Sequence, residues 1–541
     1  MANEMKKVQI GDGTDWHFVN GEWVDGEGGL LSVPEHLIKA EGDSLQGMHF
    51  AFCRKLCFQD FTVRFELCLP PLSDAGILFR AQDESHFYML HFPNCGQASR
   101  AQNFWVALSK MDDSGCLRNI KLEMVRRVPS TTGLWLPVEM NVVGQRISVS
   151  ISDYGCFEVE DDTYPDAGHL GLTLYSAAQI RNVIVEGKPA ERPVWKDDLR
   201  QPVNWYHPAP TSSDVWQQPI DLKRFPDGEL LLLVNIQADK GMGEDAQAVA
   251  HLTRSADGGG TWSTPEILPL PQSKSTWAAA RMHLTPNGRL IAMTPSTDHK
   301  LLFESTDRGR TWSEPIKANL HFGPPREKPV QNVSPQGFLN LADGGILVFM
   351  MQGHDSTYNV WTWGSAHCQA FSFRSDDDGR TWSEPVNLDM PGYDKEGEKL
   401  AGSLDLTEPS AVQLSNGRVM VFIRPIYSPW MWETWSDDGG LTWGPCVRGP
   451  FPGYAAPNMV RTTSGALLIA HRLPWLTIHC SHDEGLTWDQ GTTIDSGGWC
   501  MGSMCEVEPD VVLYCYWDTY STLMRAQRLQ VTPSGLEPVR P

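Results

Sequence analysis

One eight-residue phrase, Ser-x-Asp-x-Gly-x-Thr-Trp, occurs five times in this chain: Ser255–Trp262, Ser305–Trp312, Ser375–Trp382, Ser436–Trp443 and Ser481–Trp488. Five fixed residues at fixed offsets in every copy are beyond chance, so the chain is built from a repeated supersecondary unit. The phrase reads as a tight β-turn. Its Asp carboxylate accepts hydrogen bonds from N–H groups of its own turn. Gly takes the positive-φ position. Thr and Trp open the next strand, and the Trp ring packs on a neighbouring sheet. Asp376-Asp377-Asp378-Gly379 also hints at a calcium loop, but that loop needs a bidentate Glu downstream at set spacing, and Trp382 interrupts the register. The acids of the phrase are therefore read as structural, and no metal site is expected.

A second repeat alternates with the first. A Gly- or Asn-containing turn precedes a strongly apolar run at Pro226-Asp227-Gly228, Pro286-Asn287-Gly288, Ala342-Asp343-Gly344, Ser415-Asn416-Gly417, Thr463-Ser464-Gly465 and Glu508-Pro509-Asp510. Asp-Gly and Asn-Gly between apolar runs are strong hairpin signals. Each unit then reads strand, hairpin, buried strand, connection, strand, boxed turn, strand. That is a four-stranded blade, and six of them predict a closed six-bladed β-propeller. The sixth lacks a boxed turn, so the segment Val203 to Tyr206 is expected to supply its last strand.

Residues 1–188 carry no copy of the phrase. They show short alternating runs, such as Phe61–Leu67, Ile77–Arg80, Phe87–Phe92, Ile147–Ile151 and Ile180–Val185, the pattern of an all-β sandwich. Residues 189–202 read as a linker, and 203–541 as the propeller. The net charge of −22 argues against nonspecific nucleic-acid binding, which needs dense cationic surface. No apolar run approaches the roughly 20 residues of a bilayer-spanning helix, so no membrane partner is expected. The polar start Met1–Lys7 is not followed by an apolar export segment. A cytoplasmic location is expected from the sequence as written, and secretion if it was trimmed.

The boxed phrase, with the six hairpins, makes residues from about 200 to 535 resemble the sialidase superfamily of Asp-box, or bacterial neuraminidase repeat, propellers. The N-terminal region is similar in pattern to concanavalin-type or laminin-G-like lectin sandwiches. The resemblance implies an exo-acting glycoside hydrolase that takes a terminal, acidic sugar from a glycan and needs no cofactor. The other reading is a carbohydrate-binding protein on a degenerate sialidase scaffold. A protein-interaction propeller is a third. Sialidases bind the substrate carboxylate with three arginines, whose planar guanidinium matches a carboxylate. A Glu activates their nucleophilic Tyr, and an Asp serves as acid/base.

The family pattern is best matched by Glu408 in Thr407-Glu408-Pro409-Ser410 and by Arg424 one hairpin later. Arg472 resembles a second arginine, with His471 turned into the blade. Gln217, before Pro219, stands where the first arginine is expected, and Arg281 is a possible substitute. Gly502 stands where the nucleophilic tyrosine is expected, leaving Tyr516, Tyr427 and Tyr454 as candidates. Asp245 and Asp239 lie in the glycine-rich loop after the first hairpin and are candidate acid/bases. Glu506 is a candidate second carboxylate if water attacks directly. His354, Trp430 and Trp432 are candidate sugar contacts, because aromatic faces pack on sugar C–H groups.

Overall fold

The computed structural model describes residues 5–10, 16–19, 24–26, 30–32, 48–70, 73–94, 105–124, 134–175, 178–195, 216–237, 248–271, 280–294, 300–318, 320, 333–353, 368–388, 406–425, 430–453, 456–472, 475–495, 501–517 and 524–539. Every regular element among them is a strand. The chain divides into two compact units. The first holds Met1–Val203 with Leu473–Ile478 and Gln490–Gly498, and the second holds the remainder.

In the first unit the long strand Met48–Cys68 is the organising element. It pairs antiparallel with Trp16–Val19, Leu136–Val143, Gly168–Tyr175 and Gln179–Pro189. Leu136–Val143 alternates buried and exposed residues, as expected of a strand with one face on a core. Phe61, Val63, Phe65 and Leu67 pack there with Val138, Met140 and Val142. Asp74–Ala81, Phe87–His91, Trp105–Met111 and Leu117–Met124 follow as an antiparallel meander.

The second unit is a β-propeller. Its sheet one runs Trp216–Arg224, Leu230–Gln237, Ala248–Ser255 and Glu266–Ile267. Sheet two runs Arg281–Leu284, Leu290–Thr294, Lys300–Ser305 and Ile316–Ala318. Sheet three runs Val333–Asn340, Ile346–Gly353, Cys368–Ser375 and Val386–Asn387. Sheet four runs Leu406–Gln413, Val419–Pro425, Trp430–Ser436 and Val447–Pro452. The last sheet runs Met501–Glu508, Val511–Trp517, Met524–Thr532 and Gly535–Pro538. Five four-stranded sheets therefore stand separately, where the sequence led us to expect six. The fifth repeat, Asn458–Arg461, Leu467–His471, Leu476–Ser481 and Thr492–Asp495, is not a separate sheet. Its last strand pairs with Leu117–Met124 inside the first unit. The last sheet takes its outer strand from Gly535–Pro538; Val203–Tyr206, expected to supply it, lies outside the described residues.

The leading strands of the five sheets and the strand Asn458–Arg461 neighbour one another in chain order, and Met501–Glu508 returns to Trp216–Arg224. Side chains tie this ring together. Asp221 accepts from Met282 N at 2.8 Å, Ser410 from Met459 N at 3.0 Å, Asn458 from Met504 N at 2.8 Å and Ser503 from Leu222 N at 3.0 Å. The leading strands of sheets one, three and four each carry a Pro next to a register shift, namely Pro219, Pro335 and Pro409. Pro lacks the N–H for the ladder and is accommodated at such bulges.

The boxed turns share one hydrogen-bond pattern. In the first, Ser255 Oγ donates to Asp257 Oδ1 at 2.8 Å. Thr261 N and Thr261 Oγ1 donate to the two Asp257 oxygens at 2.8 and 2.6 Å, and Gly259 N donates to Ser255 Oγ at 2.9 Å. The other four turns repeat it. These carboxylates are consumed by their own turns. The residue after each box Asp is left-handed (Gly258, Arg308, Asp378, Gly439 and Glu484, φ 59–70°). It reaches the preceding hairpin where it carries a side chain. Arg308 meets Asp227 and Glu229, Asp378 meets Arg289, and Glu484 accepts from Ser415 N.

Candidate active site

Glu408 is the third residue of the leading strand of sheet four. Thr407 lies opposite Arg424 and Ser410 opposite Phe422, so Glu408 and Pro409 together stand against Ile423 alone. The bulge holds Glu408 at φ 50°, a left-handed conformation that costs an ordinary residue free energy, and turns its side chain out of the ladder alternation. Both carboxylate oxygens lie 2.8 Å from Arg424 Nη1, at the end of the adjacent strand. The Ala456 N–H donates to Oε2 at 2.6 Å.

Burial by itself would raise the Glu408 carboxyl. The charge and hydrogen bond of Arg424, the Ala456 N–H and the charge of Arg472 outweigh it and hold the group below the usual glutamate value. The site therefore presents a carboxylate at neutral pH. Glu408 is the open member, with a side chain 14% exposed against 2% for Arg424, and Arg472 is buried as well. Among the described residues no tyrosine hydroxyl reaches the Glu408 carboxylate.

His471 is buried beside Arg472 in the chain. Its ring stacks on His479 at 5.0 Å and on Phe451 at 5.5 Å, and desolvation, with the neighbouring His479, drives its pKa well below the ordinary value. It points into the sheet, as the alternation predicts.

Several other expectations need correction. Arg281, the expected substitute for a missing arginine, is engaged by main-chain carbonyls. Its Nε donates to Pro335 O and its Nη1 to Ile220 O, both at 3.1 Å, so it ties the leading strands of sheets one and three. Gln217 is fully buried and offers nothing to an open surface. Tyr516 is fully buried on the second strand of the last sheet, where its hydroxyl accepts from Gln527 Nε2 at 2.8 Å and its ring stacks on Tyr514. An enclosed hydroxyl cannot meet a glycan. Glu506 accepts from Thr463 N, Thr463 Oγ1 and Asp510 N, at the hairpin end of its strand, and is not a partner for Glu408. Trp430 lies under the Arg448 guanidinium at 4.5 Å, and Trp432 packs on the cluster between sheets three and four. Asp239, Asp245, His354, Tyr427 and Tyr454 lie outside the described residues.

Gly502 has a steric cause. A Cβ there would come within 2.0 Å of Cys515 O and 2.8 Å of Tyr516 Cα, so no larger residue fits that backbone. Two features escaped the sequence reading. The Ala456 N–H is a main-chain group and carries no residue-type signal, although Ala456-Pro457 echoes Glu408-Pro409. Glu433, on the third strand of sheet four, is pushed up to about 7 by burial, which a sequence does not display.

A model of the BNR repeat-like domain matches residues 237–525. No curated protein matches the chain. Solved structures with a similar arrangement include a mutant of the NanB sialidase from Streptococcus pneumoniae, at 11% identity over 88% of this chain and 96% of that one, TM-score 0.45. A leech intramolecular trans-sialidase complexed with 2,7-anhydro-Neu5Ac matches at 10% identity over 87% and 94%, TM-score 0.43. The Fusarium graminearum α-L-arabinofuranosidase Arb93A matches at 14% over 61% and 98%, TM-score 0.42. The family model spans more than half of the chain and all but one of the repeat hairpins, and on that match the chain belongs to the BNR repeat-like domain family.

Proposed function

We propose that this protein is a glycoside hydrolase of sialidase type that releases a terminal sugar from a glycan, with Glu408 as its central carboxylate. The observation that supports the reading is the ionised Glu408, held by Arg424 and the Ala456 N–H at the open end of a leading propeller strand. An ionised carboxylate can polarise a nucleophile, accept its proton, or stabilise the positive charge that develops on the sugar ring. Arg424 acts through Glu408 by fixing its orientation and charge. Its own charge is already met, so an acidic sugar is not demanded by that guanidinium.

A second reading is a carbohydrate-binding protein without turnover. It is favoured by the closed space at Gly502 and the enclosed hydroxyl of Tyr516. A hydrolysis screen of the full chain separates the two. Chromogenic α-sialosides are offered beside other acidic and neutral glycosides, with sugar binding followed by calorimetry. Cleavage of any of them that is lost in Glu408→Gln supports the hydrolase. Saturable binding without release of chromophore supports the second reading.

A further inference from the structure

We propose that the main-chain N–H of Ala456 is a positioning group that sets the charge state of Glu408 and selects Oε1 as its working oxygen. The functional consequence rests on the glycosidase reading above, but the structural link does not.

Ala456 and Glu408 occupy matching places in successive repeats. Each precedes a proline, Pro457 and Pro409, and each is left-handed, at φ 28° and 50°. A residue before proline is driven towards extended conformations, and entering the left-handed region costs a non-glycine residue more. Two such residues in succession, joined by a 2.6 Å hydrogen bond, mark a contact that the surrounding structure holds in place. A second bond fixes the same pair of segments, since Met459 N donates to Ser410 Oγ at 3.0 Å. Residues 456–459 are thus laced to residues 408–410 on either side of Pro409.

The two carboxylate oxygens are then unequal. Among the described residues, Oε2 receives Ala456 N–H and Arg424, whereas Oε1 receives only Arg424. A hydrogen bond to the charged form stabilises it, so the N–H adds to Arg424 in holding Glu408 ionised and leaves Oε1 as the oxygen with acceptor capacity to spare.

The test replaces the amide at Ala456 by an ester in the full chain, which deletes the N–H and keeps the methyl side chain. The readout is the carbon-13 resonance of the Glu408 carboxyl against pH, assigned by its loss in Glu408→Gln. In the ester variant the carboxyl is expected to titrate at higher pH than in the parent. Turnover should fall about tenfold, the order of one hydrogen bond to a charged group, with its acid limb moved upward and KM little changed. Ala456→Gly keeps the N–H and accepts the left-handed backbone, so it should titrate like the parent. Superimposable titrations of ester and parent overturn the proposal. If the ester variant does not fold, Ala456→Val examines the same link. A β-branched residue is a rare outlier at positive φ, so the backbone at 456 is expected to shift, weaken the contact and raise the Glu408 titration. An unmoved titration in that variant also overturns the proposal. Because the titration needs no substrate, a parent protein that cleaves no glycoside removes the functional reading without deciding this one.

Discussion

At the scale of single residues, the site depends on one carboxylate whose ionisation is arranged by its neighbours. Glu408→Gln keeps the size but removes the charge, so turnover should fall by at least about a hundredfold, and because the buried Arg424 loses its counter-charge the melting temperature should fall as well. Activity equal to the parent would remove Glu408 from the mechanism. Its effect on stability has a definite sign. The folded pKa is depressed, so the contribution is present above the ordinary glutamate range and is lost as pH falls through the depressed value. Glu433 behaves in the opposite way. Burial raises its carboxyl from 4.5 to about 7. The unfolded chain gains by ionising it between those values, so it costs stability as pH rises from 4.5 to about 7. Glu433→Gln should therefore stabilise the protein by about 3 kcal/mol at pH 7 and above, and by little at pH 4. Urea unfolding at both pH values measures the difference.

At the scale of elements, the boxed turn is a joint between repeats as well as a turn. Its Trp packs towards the preceding repeat, as Trp382 does in the cluster between sheets two and three. Where it carries a side chain, its left-handed residue meets the hairpin of the preceding repeat, and the chemistry of that contact differs from one repeat to the next. Asp378 in the third turn is held by Arg289, both nearly buried, and Arg289 also meets Glu304. Arg308 in the second turn meets Asp227 and Glu229 with its side chain 36% exposed. Removing one partner of a buried pair strands the other, so Arg289→Ala should cost about 3–5 kcal/mol. Arg308→Ala should cost under about 1 kcal/mol, because exposed pairs are weak. Denaturant unfolding of the two variants side by side measures the contrast, and equal losses would refute the burial argument. The same elements show what can be read without a structure. The five boxed turns and all six hairpin turns were legible, because each rests on residue types that carry their own backbone preference. The five separate sheets were not, because whether the fifth repeat stands apart depends on a pairing between Thr492–Asp495 and Leu117–Met124, segments far apart in sequence.

At the scale of the molecule, the linear boundary between an N-terminal region and a propeller is not the boundary of the packed units. Leu473–Ile478 and Gln490–Gly498 belong with the first unit. There the Trp475 indole N–H donates to the buried Asp74 carboxylate at 2.9 Å, and its ring lies 5.0 Å from Tyr175. Asp74 also accepts from Phe92 N at 2.9 Å and lies 2.7 Å from His91 Nδ1. Asn119 Nδ2 donates to Gln490 O at 3.2 Å. Residues 204–541 expressed alone would lose Asp74, Tyr175 and Asn119 and leave Trp475 without its packing partners. Losing the burial of one large aromatic costs about 3–5 kcal/mol, so this fragment should melt about 5 °C below the full chain. An equal melting temperature would show that the second unit is independent of those contacts.

The sequence by itself determined the all-β class, the repeat and its turns, and it singled out Glu408, Arg424 and Arg472 as candidates for the site. All of these are carried by residue type and local spacing. The tertiary structure alone decided which polar groups face one another. It turned Arg281 and Glu506 to structural use, enclosed Gln217 and Tyr516, closed the space beside Gly502, and set a main-chain N–H against Glu408. The reason is physical: ionisation, access and orientation depend on neighbours brought from distant repeats, and a main-chain donor has no residue type by which a sequence could announce it.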